Sequence, residues 1–444
     1  MTKLEIDWEG VLEAARAIAA RLTQHGHTAW FAGGCVRDLI LGQPPKDVDI
    51  ATSARPGEVE ELFETTIPVG KDFGVIIVRS GGVNFEVATF RSDGEYMDGR
   101  RPCEVHFSEA RDDAQRRDFT INGLFLDPAT GDVFDHVGGI DDLARKLVRT
   151  IGEPGDRFNE DALRLLRAIR FAARFDFEIE EATLASIKSQ CDRIKLVSRE
   201  RVGQEIVKML TQPQPRRAME LLRETGLLRA VLPEVAAMEG VEQPPKFHPE
   251  GDVWVHTMLM LDDLPAGPSP TLALGALLHD VGKPPTYEEL DRIRFNHHPK
   301  VGASIARDIC HRLRLSKAII DRVEYLVSSH MRFMDAPKMR NSTFKRFVRE
   351  EGFTELVTLY EIDCRASHGD KAVVKEVLDR IAAIPPESIK PEPLLRGDDL
   401  VKMGFAPGPI FSEILKEVED AQLDGKISSR EEAVEFVEGR FRGN

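Results

Sequence analysis

The sequence has little of what marks a membrane protein, a disulfide-rich secreted protein or a protein that coats nucleic acid. No apolar run approaches the roughly 20 residues of a membrane span, and the acidic N-terminal segment lacks a signal-peptide pattern. The five cysteines are far apart without a C-x-x-C pair, so neither a disulfide framework nor a structural zinc site is indicated. The net charge of −15 argues against non-specific coating of nucleic acid, because phosphate contacts need clustered cations. We expect a cytoplasmic protein with reduced thiols.

Length and composition predict a globular protein of several domains. A chain of 444 residues is too long for one core, and 42% hydrophobic with 30% charged residues is ordinary for a folded protein. A Pro- and Gly-rich stretch at 232–252 indicates one boundary. We predict domains at 1–150, 151–231, 232–390 and 391–444.

An Asp-Val-Asp sequence ends the stretch FAGGCVRDLILGQPPKDVDIAT at 31–52. The stretch predicts a strand, a Gly-Gly turn, a short helix over about 35–41 and a second strand that carries Asp47 and Asp49. Residues two apart on a strand project from the same side, where two carboxylates can hold divalent cations. An isolated Asp-x-Asp is more often solvated turn chemistry, so the interpretation depends on the neighbouring motifs.

Two glycines and an arginine precede this acidic pair. Backbone N–H groups of a Gly-Gly turn at a helix start can meet phosphate oxygens, and an arginine one turn later adds a forked positive charge. The motif comprises Gly33, Gly34, Arg37, Asp38, Asp47 and Asp49. This spacing resembles the signature of the polymerase-beta-like nucleotidyltransferases, in the form found in class II tRNA nucleotidyltransferases (CCA-adding enzymes) and bacterial poly(A) polymerases.

The resemblance implies a third carboxylate for a two-metal magnesium site. Glu86 lies on the second of two strand-like runs joined by a Gly-Gly hairpin, and it is the first candidate. A charged residue on the wet face of a strand is the alternative interpretation of Glu86. Asp118 is the other candidate for the third carboxylate, and only geometry can decide between them. The polar segment 91–101 has no periodicity and predicts a mobile loop over the site.

The segment RRDFTINGLFLDP resembles the family motif that holds the sugar and phosphates of the incoming nucleotide. The nucleotide-binding residues that the resemblance implies here are Arg91, Arg116, Arg117, Asp118 and Asn122. A further family element that links the head to the next domain matches Asp135, Gly138, Gly139 and Asp142, which as isolated residues would indicate a Gly turn.

A helix predicted from Asn159 onward carries Asp161 and Arg164 three residues apart, on one face. A carboxylate beside a guanidinium complements the amino donor and ring-nitrogen acceptor that cytosine and adenine share, whereas uracil and guanine present the reverse pattern. The alternative is an ordinary helix ion pair. The segment EDALRLLRAIRFA is similar to the base-reading motif of the family, which adds Arg167 and Arg170 to the nucleotide-binding set.

A separate set of His and Asp residues begins near residue 254. The candidate metal ligands are His256, His279, Asp280, His298, His330 and Asp363. Their sequence contexts resemble the HD-domain metal phosphohydrolases. Imidazole with carboxylate suits transition metals such as Mn²⁺, Ni²⁺ or Fe²⁺, which lower the pKa of water for attack on a phosphomonoester or a 2′,3′-cyclic phosphate. His297 is the weaker of an adjacent pair, and Lys283 can contact phosphate.

The resemblance covers nearly the whole chain and implies an α+β fold: a polymerase-beta-like head with a mixed sheet and helices, then all-α neck, HD and tail domains. It implies that C and A are added to the 3′ end of tRNA from CTP and ATP, with no membrane or DNA partner. Addition of A alone and poly(A) synthesis remain open, as do an HD phosphohydrolase with an RNA-binding head and a non-catalytic RNA-binding protein. The tail matches the family's C-terminal segment, where tRNA contact and plain helix packing are both open.

Overall fold

The computed structural model describes residues 2–3, 9–94, 105–245 and 248–441. The chain folds into two compact units, Met1–Pro233 and Glu234–Asn444. This division agrees with a boundary near 232, while the finer division into four domains remains a prediction. Residues 95–101 of the predicted loop lie outside the described residues. Within the described ranges, no helix is long and apolar enough to cross a membrane.

The strands lie mainly in the first unit, as the amino-acid pattern predicts. They are β1 Thr2–Lys3, β2 Ala29–Ala32, β3 Asp49–Thr52, β4 Thr66–Gly70, β5 Val75–Ser80, β6 Val83–Thr89, β7 Arg91–Asp93, β8 Val105–Phe107, β9 Leu124–Leu126, β10 Asp132–Asp135, β11 Leu147–Val148, β12 Glu178–Ile179, β13 Tyr287–Glu289 and β14 Ile293–Phe295. The ribbons β11–β12 and β13–β14 are small additions to the otherwise helical regions.

Helices cover the sheet and form nearly all of the rest. The first unit contains α1 Val11–Gln24, α2 Gly34–Ile40, α3 Pro56–Leu62, α4 Ala110–Gln115, α5 Gly139–Ala144, α6 Pro154–Glu160, α7 Leu163–Phe175, α8 Glu181–Gln190, α9 Arg199–Thr211, α10 Pro215–Glu224 and α11 Leu227–Val231, and α12 Pro233–Ala236 follows. The second contains α13 Val253–Asp262, α14 Pro270–Leu278, α15 His298–Arg312, α16 Lys317–Ser329, α17 Asn341–Val348, α18 Phe353–Ala366, α19 Ala372–Ala382, α20 Pro386–Ile389, α21 Gly397–Lys402, α22 Pro409–Leu423 and α23 Arg430–Phe441.

The main sheet is mixed, in the order β1-β10-β9-β2-β3-β6-β5-β4, and only β3 and β6 run parallel within it. The β5–β6 hairpin turns at Gly81 and Gly82, both with positive φ, as the Gly-Gly pair predicts. Trp30 stacks on Phe134 with ring centroids 4.2 Å apart, which helps to fix β2 and β10 under the site.

Three local predictions in the first unit need correction. The start of the loop predicted at 91–101 is instead strand β7, which pairs with β8. Asp47 lies before β3 and not on it, because pairing with β2 ends at the Ala32–Asp49 pair, where β2 gives way to the Gly33 turn. The helix predicted from Asn159 is instead broken at Asp161, which is extended (φ −148°, ψ 103°) between α6 and α7. The Asp161 carboxylate accepts the N–H of Leu163 at 3.0 Å, and this local bond competes with a continuous helix.

The second unit is a helical bundle in which α13, α14, α15, α16 and α18 carry the predicted metal ligands or lead directly into them. A close backbone approach sets its geometry: a Cβ at Gly282 would overlap the carbonyl oxygen of His298 and would lie 2.6 Å from the N atom of Gly302. Glycine therefore allows the turn after α14 to contact the start of α15. The tail, including α22 opened by Pro409 as predicted, has its own apolar cluster around Leu400, Ile414 and Val437.

Candidate functional sites

The acidic platform of the head is formed where β3 and β6 run side by side. Ile50 is opposite Val87, so Asp49 and Glu86 lie one position earlier on adjacent strands and share a face. Both side chains are solvent-accessible, as is Asp47. Partial desolvation, together with the negative charges of Glu86 and Asp47, raises the pKa of Asp49 to about 6, although Arg117 opposes the shift. Glu86 and Asp47 therefore act electrostatically on Asp49, as expected of carboxylates grouped at a cation site.

Asp118 has a different environment. Its carboxylate is buried and accepts hydrogen bonds from the Phe119 N–H (2.9 Å), Asn122 Nδ2 (2.9 Å) and Arg167 Nε (2.6 Å). Burial alone would raise the pKa of Asp118, but the charges of Arg167 and Arg164 and the Asn122 hydrogen bond lower it to about 2. These contacts indicate that the Asp118 carboxylate holds arginine side chains in place.

A cavity of about 470 Å³ opens beside these residues. Its lining is Gly33, Gly34, Arg37, Asp49, Arg91, Arg116, Arg117, Asp118, Asn122, Asp161, Arg164, Arg167 and Phe171. The structure thus brings together nearly all the residues predicted to bind nucleotide. Asp47, Glu86 and Arg170 are outside this lining, and Arg170 is instead buried in an ion pair with Glu205 at 2.6 Å.

The cationic side of the cavity is held by a network that sequence reasoning missed. Asp113, buried on α4, accepts hydrogen bonds from both Arg116 (2.8 Å) and Arg117 (2.9 Å). Arg37 donates to Asn122 Oδ1 at 2.5 Å and lies 4.5 Å from the Phe175 ring centroid. The i,i+3 and i,i+4 spacing of Asp113 to the two arginines is the signal that would have indicated the first contact.

Asp161 and Arg164 both line the cavity, but neither is paired to the other in the described contacts. Arg201 on α9 donates two hydrogen bonds to Asp161, from Nη2 to Oδ2 at 2.6 Å and from Nη1 to Oδ1 at 3.1 Å. Arg164 pairs with Glu160 and donates to the Arg157 carbonyl oxygen at 3.0 Å. Each side chain is therefore oriented by a partner other than the one expected from the predicted helix face.

The second unit gathers all six predicted metal ligands. The predicted ligands form two groups, His256 with His279 and Asp363, and Asp280 with His298 and His330; within the described residues His248 and Glu250 form a further candidate group with His256, and the ligand atoms of each group lie within 4.8 Å of one another. Asp363 Oδ1 is 3.2 Å from His256 Nε2, and Asp280 Oδ1 is 3.5 Å from His298 Nε2. His297, the weaker candidate of the adjacent pair, belongs to neither of the two groups of predicted ligands.

The donor atoms fit a transition metal. His279, His298 and His330 each direct Nδ1 to a carbonyl oxygen three residues earlier, at 2.9, 2.9 and 2.7 Å, and so turn Nε2 toward the groups. The Nε2 atoms of His256 and His279 are buried and make no hydrogen bond of acceptable geometry, despite carboxylate oxygens 3.2 and 3.1 Å away. Such orphaned nitrogens suit a metal ion.

Electrostatics in the second unit act on the candidate ligands in opposite directions. Burial lowers the pKa of His256, but the carboxylates of Asp363 and Glu250 outweigh it and raise that pKa to about 9. Burial opposes ionisation of Asp280, but the positive charges of His279 and Lys283 hold its pKa well below the usual value. Burial and the charge of His279 lower the pKa of His330 to about 4, which leaves this imidazole neutral at pH 7. Lys283 is itself buried, 2.6 Å from Asp280 and 2.5 Å from Gln243 Oε1, so its predicted phosphate contact would require a change of partner.

Two residues next to these groups were missed from the sequence. Glu250 Oε1 lies 2.6 Å from His256 Nδ1 and 2.9 Å from His248 Nδ1. Glu250 and His248 both belong to the Pro- and Gly-rich stretch 232–252, which the sequence pattern indicates only as a domain boundary. The available signal was a histidine and a glutamate two residues apart, directly before the helix that carries His256.

Fold and sites together define a nucleotidyltransferase chain with a helical HD domain. Residues 29–149 match the Poly A polymerase head domain, 176–239 the probable RNA and SrmB-binding site of polymerase A, and 253–365 the HD domain. CCA-adding enzymes of Bacillus licheniformis and Lactobacillus johnsonii are 30% and 32% identical over 438 and 430 residues, 96% of this chain and 98% and 97% of theirs. The chain belongs to the family of CCA-adding enzymes.

Other matches are shorter or more distant. The chain is 42% identical to the CCA-adding enzyme of Anoxybacillus flavithermus over 223 residues, which are 50% of this chain and 56% of that protein. The structure of the Bacillus stearothermophilus CCA-adding enzyme in complex with CTP aligns over 98% of this chain and all of that chain, with a TM-score of 0.76 and 26% identity. The Thermotoga maritima CCA-adding enzyme complexed with tRNA shares the fold at 20% identity, with a TM-score of 0.59 over 97% and 95% of the two chains.

Proposed function

We propose that the chain adds C and A to the 3′ end of tRNA from CTP and ATP, without a nucleic-acid template, and releases pyrophosphate. The observation that carries this proposal is one cavity of the head, which Asp49, a cluster of arginines, Asp161 and Arg164 all line. Membership of the CCA-adding family and the similarity to a structure in complex with CTP support the choice of substrates.

The chain's own residues would select the base. A carboxylate has about four lone-pair sites, and on Asp161 the described contacts engage three, two with Arg201 and one with the Leu163 N–H. The remaining site on Oδ2 accepts the amino group of cytosine or adenine, while Arg164 donates to the ring nitrogen. Uracil or guanine would place an acceptor against the Asp161 oxygen and a donor against Arg164, at a cost of about 1–3 kcal/mol.

The arginines would hold the triphosphate. Arg37, Arg91 and Arg117 line the same cavity as Asp49, so they can bind phosphate oxygens beside the acidic platform. Asp47, Asp49 and Glu86 would hold Mg²⁺, which when bound there supplies positive charge to acidify the RNA 3′-hydroxyl and to stabilise the leaving pyrophosphate. Asp118 then acts by orienting Arg167 and Asn122, and Glu86 is our choice for the third carboxylate.

For the HD domain we propose a metal-dependent phosphohydrolase acting on 2′,3′-cyclic phosphates or phosphomonoesters. The supporting observation is the two groups of largely buried ligands, the first of which contains the unpartnered Nε2 atoms of His256 and His279. A divalent ion such as Mn²⁺, Ni²⁺ or Fe²⁺, held by these six residues, would supply Lewis acidity and an acidified water. The cytoplasmic location stays a prediction from the sequence.

The test is an incorporation assay with the full chain. Transcripts of tRNA ending before CCA and at CC, and an mRNA, are each offered one NTP at a time with Mg²⁺. We expect C on the first, A on the second, and little on the mRNA. Addition of A alone to the CC end would favour an A-adding enzyme, and long A tails on mRNA a poly(A) polymerase. Absence of all incorporation, with cyclic-phosphate hydrolysis intact, would overturn the head activity.

A further inference from the structure

A carboxylate outside the predicted ligand set contacts one of the HD histidines. Glu250 Oε1 lies 2.6 Å from Nδ1 of His256, and the Glu250 side chain is only 7% exposed. The opposite ring nitrogen of His256, Nε2, is the one that faces Asp363. Glu250 is therefore behind the imidazole, on the side away from the other ligands.

His256 differs from the other three histidines in how it is held. Those three donate Nδ1–H to the carbonyl oxygen of the residue three positions earlier in their own segment. The equivalent carbonyl for His256 belongs to Val253, and it accepts the hydroxyl of Thr257 at 2.8 Å. His256 thus takes its acceptor from outside the helix, and that acceptor carries a charge.

The segment that carries Glu250 is fixed to the helix start. Asp252 caps α13 by accepting the Val255 N–H at 2.7 Å, and its other oxygen accepts the Gly240 N–H at 2.7 Å. The Val253 N–H donates to the Val241 carbonyl oxygen at 3.0 Å. These bonds on either side of the turn hold Glu250 in reach of His256, six residues later.

We propose that Glu250 is a positioning residue for the HD metal site: it accepts Nδ1–H of His256, fixes the tautomer with Nε2 free for the metal, and increases the basicity of that nitrogen. Outer carboxylates of this kind raise ligand basicity, and their loss typically weakens metal binding 10- to 100-fold. His248, whose Nδ1 lies 2.9 Å from the same oxygen, limits the freedom of Glu250. This inference rests on the metal site proposed above for the HD domain.

The test measures Ni²⁺ binding by calorimetry on the full chain with Asp47→Asn and Asp49→Asn, so that the head platform contributes little. In this background Glu250→Ala is expected to weaken Ni²⁺ about 10- to 100-fold, with the number of ions per chain unchanged. Glu250→Gln keeps an acceptor oxygen without the charge, so its loss of Ni²⁺ affinity should be smaller than that of Glu250→Ala. Glu242→Ala, an acid in the same stretch, is the matched control and should bind like the parent.

The outcomes separate the inference from the proposal beneath it. Unchanged affinity in Glu250→Ala would overturn the positioning role while leaving the metal site intact. Loss of one whole ion with the remaining affinity unchanged would show that Glu250 is itself a ligand, and would also overturn it. No Ni²⁺ binding by the parent would refute the metal site and the inference with it. Circular dichroism of the metal-free Glu250→Ala and Glu250→Gln variants that matches the parent keeps a folding defect from imitating the expected result.

Discussion

Replacing Asp118 by asparagine tests whether this carboxylate anchors Arg167 or binds a metal ion. The carboxylate is 8% exposed and pairs with Arg167 through bonds of 2.5 and 2.6 Å. Its pKa is held at about 2, against an ordinary value of 3.8. A difference of roughly two units, at about 1.4 kcal/mol each, corresponds to about 2–3 kcal/mol of stability at pH 7. Because the pKa is lowered on folding, this stability is present above pH 4 and is lost as the pH falls toward 2.

Hydrogen–deuterium exchange of the full chain measures this contribution locally. Amides of α7, which carries Arg167, should exchange roughly 30- to 100-fold faster in Asp118→Asn at pH 7, and the difference from the parent should shrink toward pH 3. Equal exchange at pH 7 would refute the stabilising ion pair.

Incorporation assays test the functional role of the same carboxylate. Asp118→Asn should raise KM for the NTP with much of kcat retained, whereas Glu86→Gln should lower kcat strongly. The reverse ranking would make Asp118 the third metal carboxylate.

Three further predictions follow from the two sites. Asp47→Ala should abolish nucleotide incorporation and leave cyclic-phosphate hydrolysis intact, and His279→Ala should do the converse; loss of both activities from either change would contradict two separate sites. Asp161→Ala should reduce discrimination against UTP and GTP by roughly 10-fold or more while triphosphate binding survives, as measured by kcat/KM for each NTP; unchanged discrimination refutes the base-reading role. Incorporation should fall as the pH drops below about 6, because the raised pKa of Asp49 lets a proton compete with Mg²⁺, and higher Mg²⁺ should move the midpoint to lower pH; a midpoint near 4 that ignores Mg²⁺ contradicts this.

The sequence was sufficient where a short-range pattern determines the geometry. The Gly81–Gly82 pair predicts the β5–β6 hairpin, and that hairpin brings Glu86 to the strand beside Asp49. The apolar run before His279 likewise predicts a helix that ends at the metal groups. In both cases local turn and helix chemistry sets the position of the side chain.

Other features depend on partners that are distant in sequence. Asp161 ends one helix and precedes the next because its side chain bonds the Leu163 N–H, whereas the same letters also fit the first turn of a single helix. Its partner Arg201 is 40 residues away, and Arg167 is 49 residues from Asp118. Periodicity within one helix carries no information on such pairs, so the sequence predicted most of the residues that line the cavity but not their contacts.

The most direct measurement of template-free base selection compares kcat/KM for CTP and UTP on one tRNA transcript ending before CCA, with no complementary strand present. The account predicts strong preference for CTP in the parent chain and loss of all incorporation in Asp49→Asn. Equal use of the two nucleotides by the parent, or incorporation that survives in Asp49→Asn, would contradict it.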